Sequence, residues 1–533
     1  MPSSNYPPKA ARRRPRALRI AVAAAVVAIA AAGCSAKSSV ANDASGSQPQ
    51  AAGTVGGTLT VAYSAVPLTL DPAKAVQNDS LYDALAYEPL IVRMDNGSLA
   101  PGLATSWRYL GNSNTEFQLQ LRSGVQFSDG SLLTAQDVVN DLRYVLQSGG
   151  QMAPLFTGDT FSATGPRTVV IKTPQPNPDL PTLLTQDDVV GGIISPDGLK
   201  DTAKLGTETS GAGPYELDAA ASVGGNYYTY VPNPHYYDKP AVHWHKVVVR
   251  AITSPQAVLN AMEAGEVQFA VGDASTASAA QKAGLTVTTT PFLWTGVTLA
   301  DRAGKMLKPL ADVRVRQALN YATNRSAIAS ALFSGGRPTS ELTVPGGYGY
   351  DPGVNDAYPY NVAKARQLLA AAGYPHGFTL PIVTADYSSM NLVAEALAQQ
   401  WAEIGVKLKI TDLANANQYD TDAFAPKFPA FMTIFGQEPI WTEGPSLFLP
   451  SALFNPFHTA NTQLTELFSN AAKATGSSQS AADEAVEAWL VHQAWFVPVV
   501  TFGLPYYATK AVTGTSVSAQ EPLASIYQVQ PAQ

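Results

Sequence analysis

Cysteine is almost missing: Cys34 is the only one in 533 residues. No internal disulfide can form, and a paired CxxC redox or zinc motif is excluded. Histidine is scarce, with six residues at 235, 243, 245, 376, 458 and 492. The one close pair, "HWH" at 243–245, puts two imidazoles on one face if 241–250 is a strand, but no third ligand adjoins it. Charge is thin at 14% of residues, and acids outnumber bases by 41 to 34, for a formal net charge of −7. That balance is the wrong sign for a generic nucleic-acid binder, which displaces counterions with basic patches. No GxSxG elbow, Ser-x-x-Lys, HExxH or Walker A sequence occurs, so the familiar serine-hydrolase, metalloprotease and P-loop frames are absent. No catalytic residue, metal ligand or cofactor is assigned.

The N-terminus is rich in what the rest lacks. "KAARRRPRALR" is followed by the apolar run "IAVAAAVVAIAAA" and by "AAGC" ending at Cys34. A basic segment, a short apolar run and small residues form a secretory signal, here residues 1–33, too short for a spanning helix. A lone cysteine at that place looks like a bacterial lipobox, with Ala31 where leucine is usual. The expectation is lipidation at Cys34 and a membrane anchor, the alternative a plain secretory signal with an incidental cysteine. Residues 1–33 hold six basic residues and no acid, so their removal takes the formal charge from −7 to −13. The small, polar, aromatic-free stretch that follows Cys34 reads as a tether, making 34–57 lipidated cysteine plus flexible linker.

Beyond it, 46% apolar content and a length too great for one ordinary core predict at least two lobes. "TLTVAYSA" alternates Leu59, Val61 and Tyr63 as a strand. Three later segments read as a helix, a glycine stop and, for two of them, a following strand. They are 254–271 with Ser254 as N-cap, 361–373 with Asn361 as N-cap, and 391–410 with Val393, Leu397 and Trp401 on one face. Helix-then-strand units argue for an α/β fold. "SDG" at 128–130 reads as a turn, and Asp137, three residues after Thr134, as part of a helix cap. Arg314 and Arg316 read as fold-internal ion pairs, and His235 as a packed loop residue.

Strings in order along the chain then resemble the family 5 extracellular solute-binding proteins of ABC importers, the oligopeptide-, dipeptide- and nickel-binding type. They are "TLDP" (69–72), "YDALAYEPLIVRMDNGSLAPGLATSW" (82–107), "FQLQLRSGVQFSDGSLLTAQDVVNDLRYVL" (117–146), "GAGPYEL" (211–217), "VPNPHYYD" (231–238), "VRVRQALNYATNRSAI" (313–328) and "AKARQLLAAAGYPHGF" (363–378). The resemblance implies a two-lobed periplasmic-binding-protein-like fold of type II, with the extra subdomain of the peptide-binding class and a hinge of two crossing strands. Lobe I is expected at 58–290 with the C-terminal 504–533, and lobe II at 291–503. It further implies a monomeric, extracytoplasmic receptor on the outer face of a bacterial cell membrane. Such a receptor captures a peptide or small molecule and hands it to ABC permease subunits. A metabolite-processing protein on the same fold, or a nickel or sugar receptor, stay as alternatives.

"FGQEPIWTEGP", 435–445, carries the ligand question. Its prolines and glycines read as a loop. Peptide-binding members have Trp-x-x-Asp near this place, whose aspartate pairs with the peptide ammonium group. In one register Phe435 and Glu438 take those two positions, with "PIW" inserted; in the other Trp441 falls on the aspartate and the anchor is lost. The resemblance makes Glu438, Phe435 and Trp441 candidate ligand residues, with Trp294 and Phe502 as apolar walls and Tyr348 on a Gly/Pro-rich loop.

Overall fold

Among the described residues, three larger sheets organise the fold, with two further two-stranded ones beside them. The computed structural model describes residues 56–76, 79–386, 388–520, 526 and 528–532. The signal segment, Cys34 and the tether as far as residue 55 lie outside these. Among the described residues, no helix is long and apolar enough to cross a membrane. They belong to one compact unit, Ala52–Gln533.

The first sheet has seven strands. Gly56–Tyr63 lies at its centre, parallel to Trp244–Ala251 on one side and to Phe269–Val271 on the other. The second has six strands, with Thr379–Ala385 parallel to both Lys407–Leu413 and Ala430–Gly436. The third is a four-stranded antiparallel sheet from Ala104–Tyr109 to Thr168–Lys172, covered by the helix Ala135–Gln147. Each sheet has its own apolar core. The architecture is mixed α/β and two-lobed, with the four-stranded sheet as an additional layer.

The chain passes between the two large sheets twice. Thr286–Thr288 closes the seven-stranded sheet, and Leu293–Thr298 enters the six-stranded one. Phe496–Phe502 leaves it again and Tyr506–Ala508 rejoins the first sheet. The two passages run side by side: Leu293–Thr298 pairs with Phe496–Phe502, and Thr286–Thr288 with Tyr506–Ala508, both antiparallel.

Local signals place most elements. Helix Pro255–Glu263 starts on Ser254, whose hydroxyl accepts from Ala257 N, and buries Val258, Leu259 and Met262. Asn361 caps Val362–Ala371 by accepting from Lys364 N at 2.9 Å. Met390–Ala402 buries Val393, Leu397 and Trp401 as its spacing requires. Thr134 and Asp137 form a reciprocal capping box. Arg314 pairs with Asp312 at 2.6 Å. Arg316 departs from the expected ion pair: it is buried and donates to the carbonyl oxygens of Leu310 and Gln493.

The segment 435–445 is a further correction, because it is only partly a loop. Phe435 and Gly436 finish the strand Ala430–Gly436, and Ile440–Leu447 is a helix with Pro445 inside it. Pro445 forfeits one backbone donor, but packing decides the outcome, since Ile440, Gly444 and Leu447 are buried. Gly444 lets the helix lie directly on Phe468, where a Cβ would sit 2.4 Å from the ring.

Candidate functional site

A cavity of ≈ 200 Å³ opens where the two halves meet. It lies beyond the carboxyl ends of Gly56–Tyr63, Phe269–Val271 and Ala430–Gly436, represented by Tyr63, Val271 and Gly436. Parallel strands in open α/β sheets present ligands at this end, where neighbouring crossovers leave a crevice.

Glu438 stands just past the end of Ala430–Gly436 and lines the cavity. Burial raises its carboxyl from the usual 4.5 to about 7, and the nearby Asp188 and Asp179 add to the rise. Its neighbour Gln437 is fixed on all sides. Gln437 N donates to Phe292 O at 2.8 Å, its Oε1 accepts from Thr343 Oγ1 at 3.1 Å, and its Nε2 donates to Ala519 O at 3.2 Å. The 343–347 loop approaches so closely that a Cβ on Gly347 would fall 1.6 Å from Gln437 Oε1. That contact sets Tyr348, the next residue, against the cavity.

The opposite wall comes from the other half. Arg93, buried at the end of Ile91–Arg93, donates Nε to Asp187 at 2.6 Å and Nη1 to the Tyr348 hydroxyl. Gln186 holds the Arg93 backbone reciprocally, accepting from its N at 3.0 Å and donating to its O at 2.8 Å. The guanidinium is thus already paired. A second link joins the halves: Thr442 Oγ1 donates to Asp179 Oδ2 at 3.0 Å. Burial lifts Asp179 to about 7, and Asp483 and Asp188 push it the same way.

More carboxyl groups stand behind the wall. Glu443 is buried, and burial, with Glu487, Glu438 and Asp483 nearby, holds it well above the ordinary range. Glu487 Oε1 accepts from Leu342 N at 2.6 Å, while its Oε2 has no hydrogen-bond partner among the described residues. Glu341 accepts from Asp351 N at 3.0 Å through Oε2; burial and Glu487 raise it to about 9. Glu443 and Glu341, held protonated, add no charge near neutral pH, whereas the acids lining the cavity itself, Asp187, Asp188 and Glu438, disfavour a carboxylate or phosphate there and favour a cation. Among the described residues, no group of three His, Cys, Asp or Glu side chains is placed to hold a metal ion.

Of the six residues singled out from the sequence, Glu438 and Tyr348 line this cavity and four do not. Trp294 is fully buried, edge-on to Phe496 with centroids 5.8 Å apart, beneath the site rather than on its wall. Phe502 packs on Phe333 at 4.9 Å. Phe435 packs edge-on to Phe454 at 5.4 Å, and Trp441 leans on the core of the four-stranded sheet. Of the inserted "PIW", Pro439 lines the cavity, Ile440 begins the helix and is buried, and Trp441 packs on the other half. Arg93, Asp187, Asp188 and Gln437 escaped the sequence reading. The only local trace was "QDD" (186–188) within an otherwise apolar run.

Comparison with known proteins gives a consistent pattern. The family described as "Bacterial extracellular solute-binding proteins, family 5 Middle" matches residues 98–451. The glutathione-binding protein GsiB of Salmonella typhimurium is 27% identical over 363 residues, covering 66% of this chain and 69% of its own. The protein of that name from Escherichia coli O157:H7 is 25% identical over 478 residues, covering 86% and 91%. Among solved structures, the clavulanic acid biosynthesis oligopeptide binding protein 2 superposes with a TM-score of 0.78 at 20% identity, covering 90% of this chain and 96% of its own. DppA from Helicobacter pylori, solved with the peptide STSA, gives 0.71 at 19% identity, with 90% and 99% covered. These two structures share the fold.

Proposed function

The chain belongs to the family 5 bacterial extracellular solute-binding proteins, and from that premise we propose that it is a lipid-anchored receptor for a peptide ligand. Its family is one of extracytoplasmic receptors that bind solutes, not of enzymes. The finer reading is capture of the ligand's ammonium group by Glu438 and delivery to the permease subunits of an ABC importer. Lobe I comprises 58–290 with 504–533, and lobe II 291–503, closing about the paired passages near 289–292 and 503–505. Cys34 carries the lipid, and the protein acts as a monomer.

One observation carries the reading: Glu438 lines the cavity with acids around it, and among the described residues of the lining the one basic side chain, Arg93, is bound to Asp187. A ligand ammonium group supplies the missing counter-charge. Relatives that bind glutathione support a peptidic ligand. Phe435, Trp441, Trp294 and Phe502 then act as support behind the anchor rather than as contacts.

Calorimetric titration of the mature protein with a mixed dipeptide set tests this. The wild type should bind, and Glu438→Gln should bind at least about tenfold more weakly, as expected when a charge-assisted hydrogen bond is lost. Equal affinity in the two proteins would show that Glu438 is not the anchor.

A further inference from the structure

The wall opposite Glu438 holds a carboxylate that ammonium capture by Glu438 alone leaves unused. Asp188 lines the same cavity of ≈ 200 Å³, and it comes from the other half of the molecule. Glu438 follows the strand Ala430–Gly436, whereas Asp188 follows the short helix Leu180–Leu183. Both side chains are half-buried. The neighbours of Asp188 fix its place. Gln186 grips the Arg93 backbone through two hydrogen bonds, and Asp187 takes the Arg93 guanidinium at 2.6 Å. Val189 is buried and has φ +55°, a left-handed backbone that a β-branched residue rarely adopts. A Cβ on Gly191 would sit 2.3 Å from Leu184 O, so this turn lies directly on the end of the short helix.

Two observations point to an occupant shared by the two acids. Among the described residues, none donates a hydrogen bond to the Glu438 carboxylate, although it lines the cavity. A carboxylate in that setting calls for a donor from the ligand. The described lining also carries three acids, Asp187, Asp188 and Glu438, against one base, Arg93, which Asp187 already engages. A cation set between Glu438 and Asp188 offsets like charges that the meeting of the halves otherwise opposes. A primary ammonium has three N–H donors and so can serve two carboxylates at once.

We infer that Asp188 is a second specificity-determining residue: a primary ammonium group of the ligand sits between Asp188 and Glu438 and donates to one carboxylate from each half. The inference rests on ammonium capture by Glu438 and adds its partner across the cleft. The group that identifies the ligand is then also the group that ties the two halves together. A quaternary amine carries the same charge but no N–H donor, and is disfavoured at this place.

Calorimetric titration at pH 7 with the dipeptide set, each member titrated singly, tests this. Burial and the neighbouring acids raise Glu438 to about 7, so it is about half ionised at that pH. If Asp188 were only a like charge beside it, Asp188→Asn would lower that value and tighten binding, by about twofold at most. The inference predicts the opposite sign. Asp188→Asn and Asp188→Ser should each bind at least about fivefold more weakly than the wild type. Adding Glu438→Gln to Asp188→Asn should give a loss that differs from the product of the single losses by at least about threefold, because both carboxylates hold one group. Unchanged or tighter binding in Asp188→Asn overturns the inference, as does a double variant that matches the product. In either case, weaker binding by Glu438→Gln leaves ammonium capture standing. A wild type that binds no member of the set defeats both readings.

Discussion

At the residue scale, Glu438 is the proposed ammonium anchor, and it lines the cavity. Its carboxyl is raised to about 7 by burial and by Asp188 and Asp179, so below that pH it is increasingly protonated and cannot pair with a cation. Affinity for an ammonium ligand should therefore rise with pH between about 6 and 8, and fall about tenfold per pH unit well below 7. Titrations across that range check this, and Glu438→Gln should flatten the profile. A wild-type profile that is flat, or that falls with rising pH, would remove Glu438 from ligand binding. This residue was legible because an acid stood at a recognisable place in a recognisable string. Arg93 was not: its partners Asp187 and Tyr348 are 94 and 255 residues away in sequence. No local spacing encodes such pairings: Asp187 reaches Arg93 only through the folding of their own half, and Tyr348 only where the two halves meet.

At the element scale, helix signals were read well where capping and apolar spacing agreed. Thr134 and Asp137 illustrate it: the Thr134 hydroxyl and backbone N both engage Asp137. Thr134→Ala should cost about 0.5–2 kcal/mol of stability, measured by denaturant unfolding with Leu132→Ala, at an exposed leucine, as a neutral control. An unchanged midpoint would mean the cap contributes nothing. The reading failed where packing overrode composition. Ile440–Leu447 forms despite Pro445 because its apolar face closes on a core that includes Trp489 and Leu464. Trp294 misled for a related reason. Its strand is buried along nearly its whole length, and alternation cannot distinguish a core-facing aromatic from a cleft-facing one when both faces are covered.

At the scale of the whole molecule, buried acids without cations set the response to pH. Glu438, Glu487, Asp179 and Asp483 are each raised to about 7, burial being the largest cause for every one. Their folded values exceed the unfolded ones, so between the ordinary carboxylate range and about 7 the folded state holds more protons. Stability from these groups is present at low pH and is lost as pH rises through about 7. The melting temperature should accordingly be higher at pH 5 than at pH 8, by scanning calorimetry, and a cationic ligand should recover part of the difference at pH 8. A melting temperature that climbs from pH 5 to pH 8 would contradict this. The α/β class and the two-lobed plan were legible from helix-strand units and from the ordered family strings, whereas the acidic character of the cleft was not, because its lining carboxylates come from segments as distant as 187 and 438. Native mass spectrometry of the purified mature protein tests the central claim most directly. The account predicts a co-purified amine-bearing species, peptidic in mass and fragmentation, that is retained by the wild type and lost from Glu438→Gln. An anionic or sugar ligand, or equal occupancy in the two proteins, would contradict it.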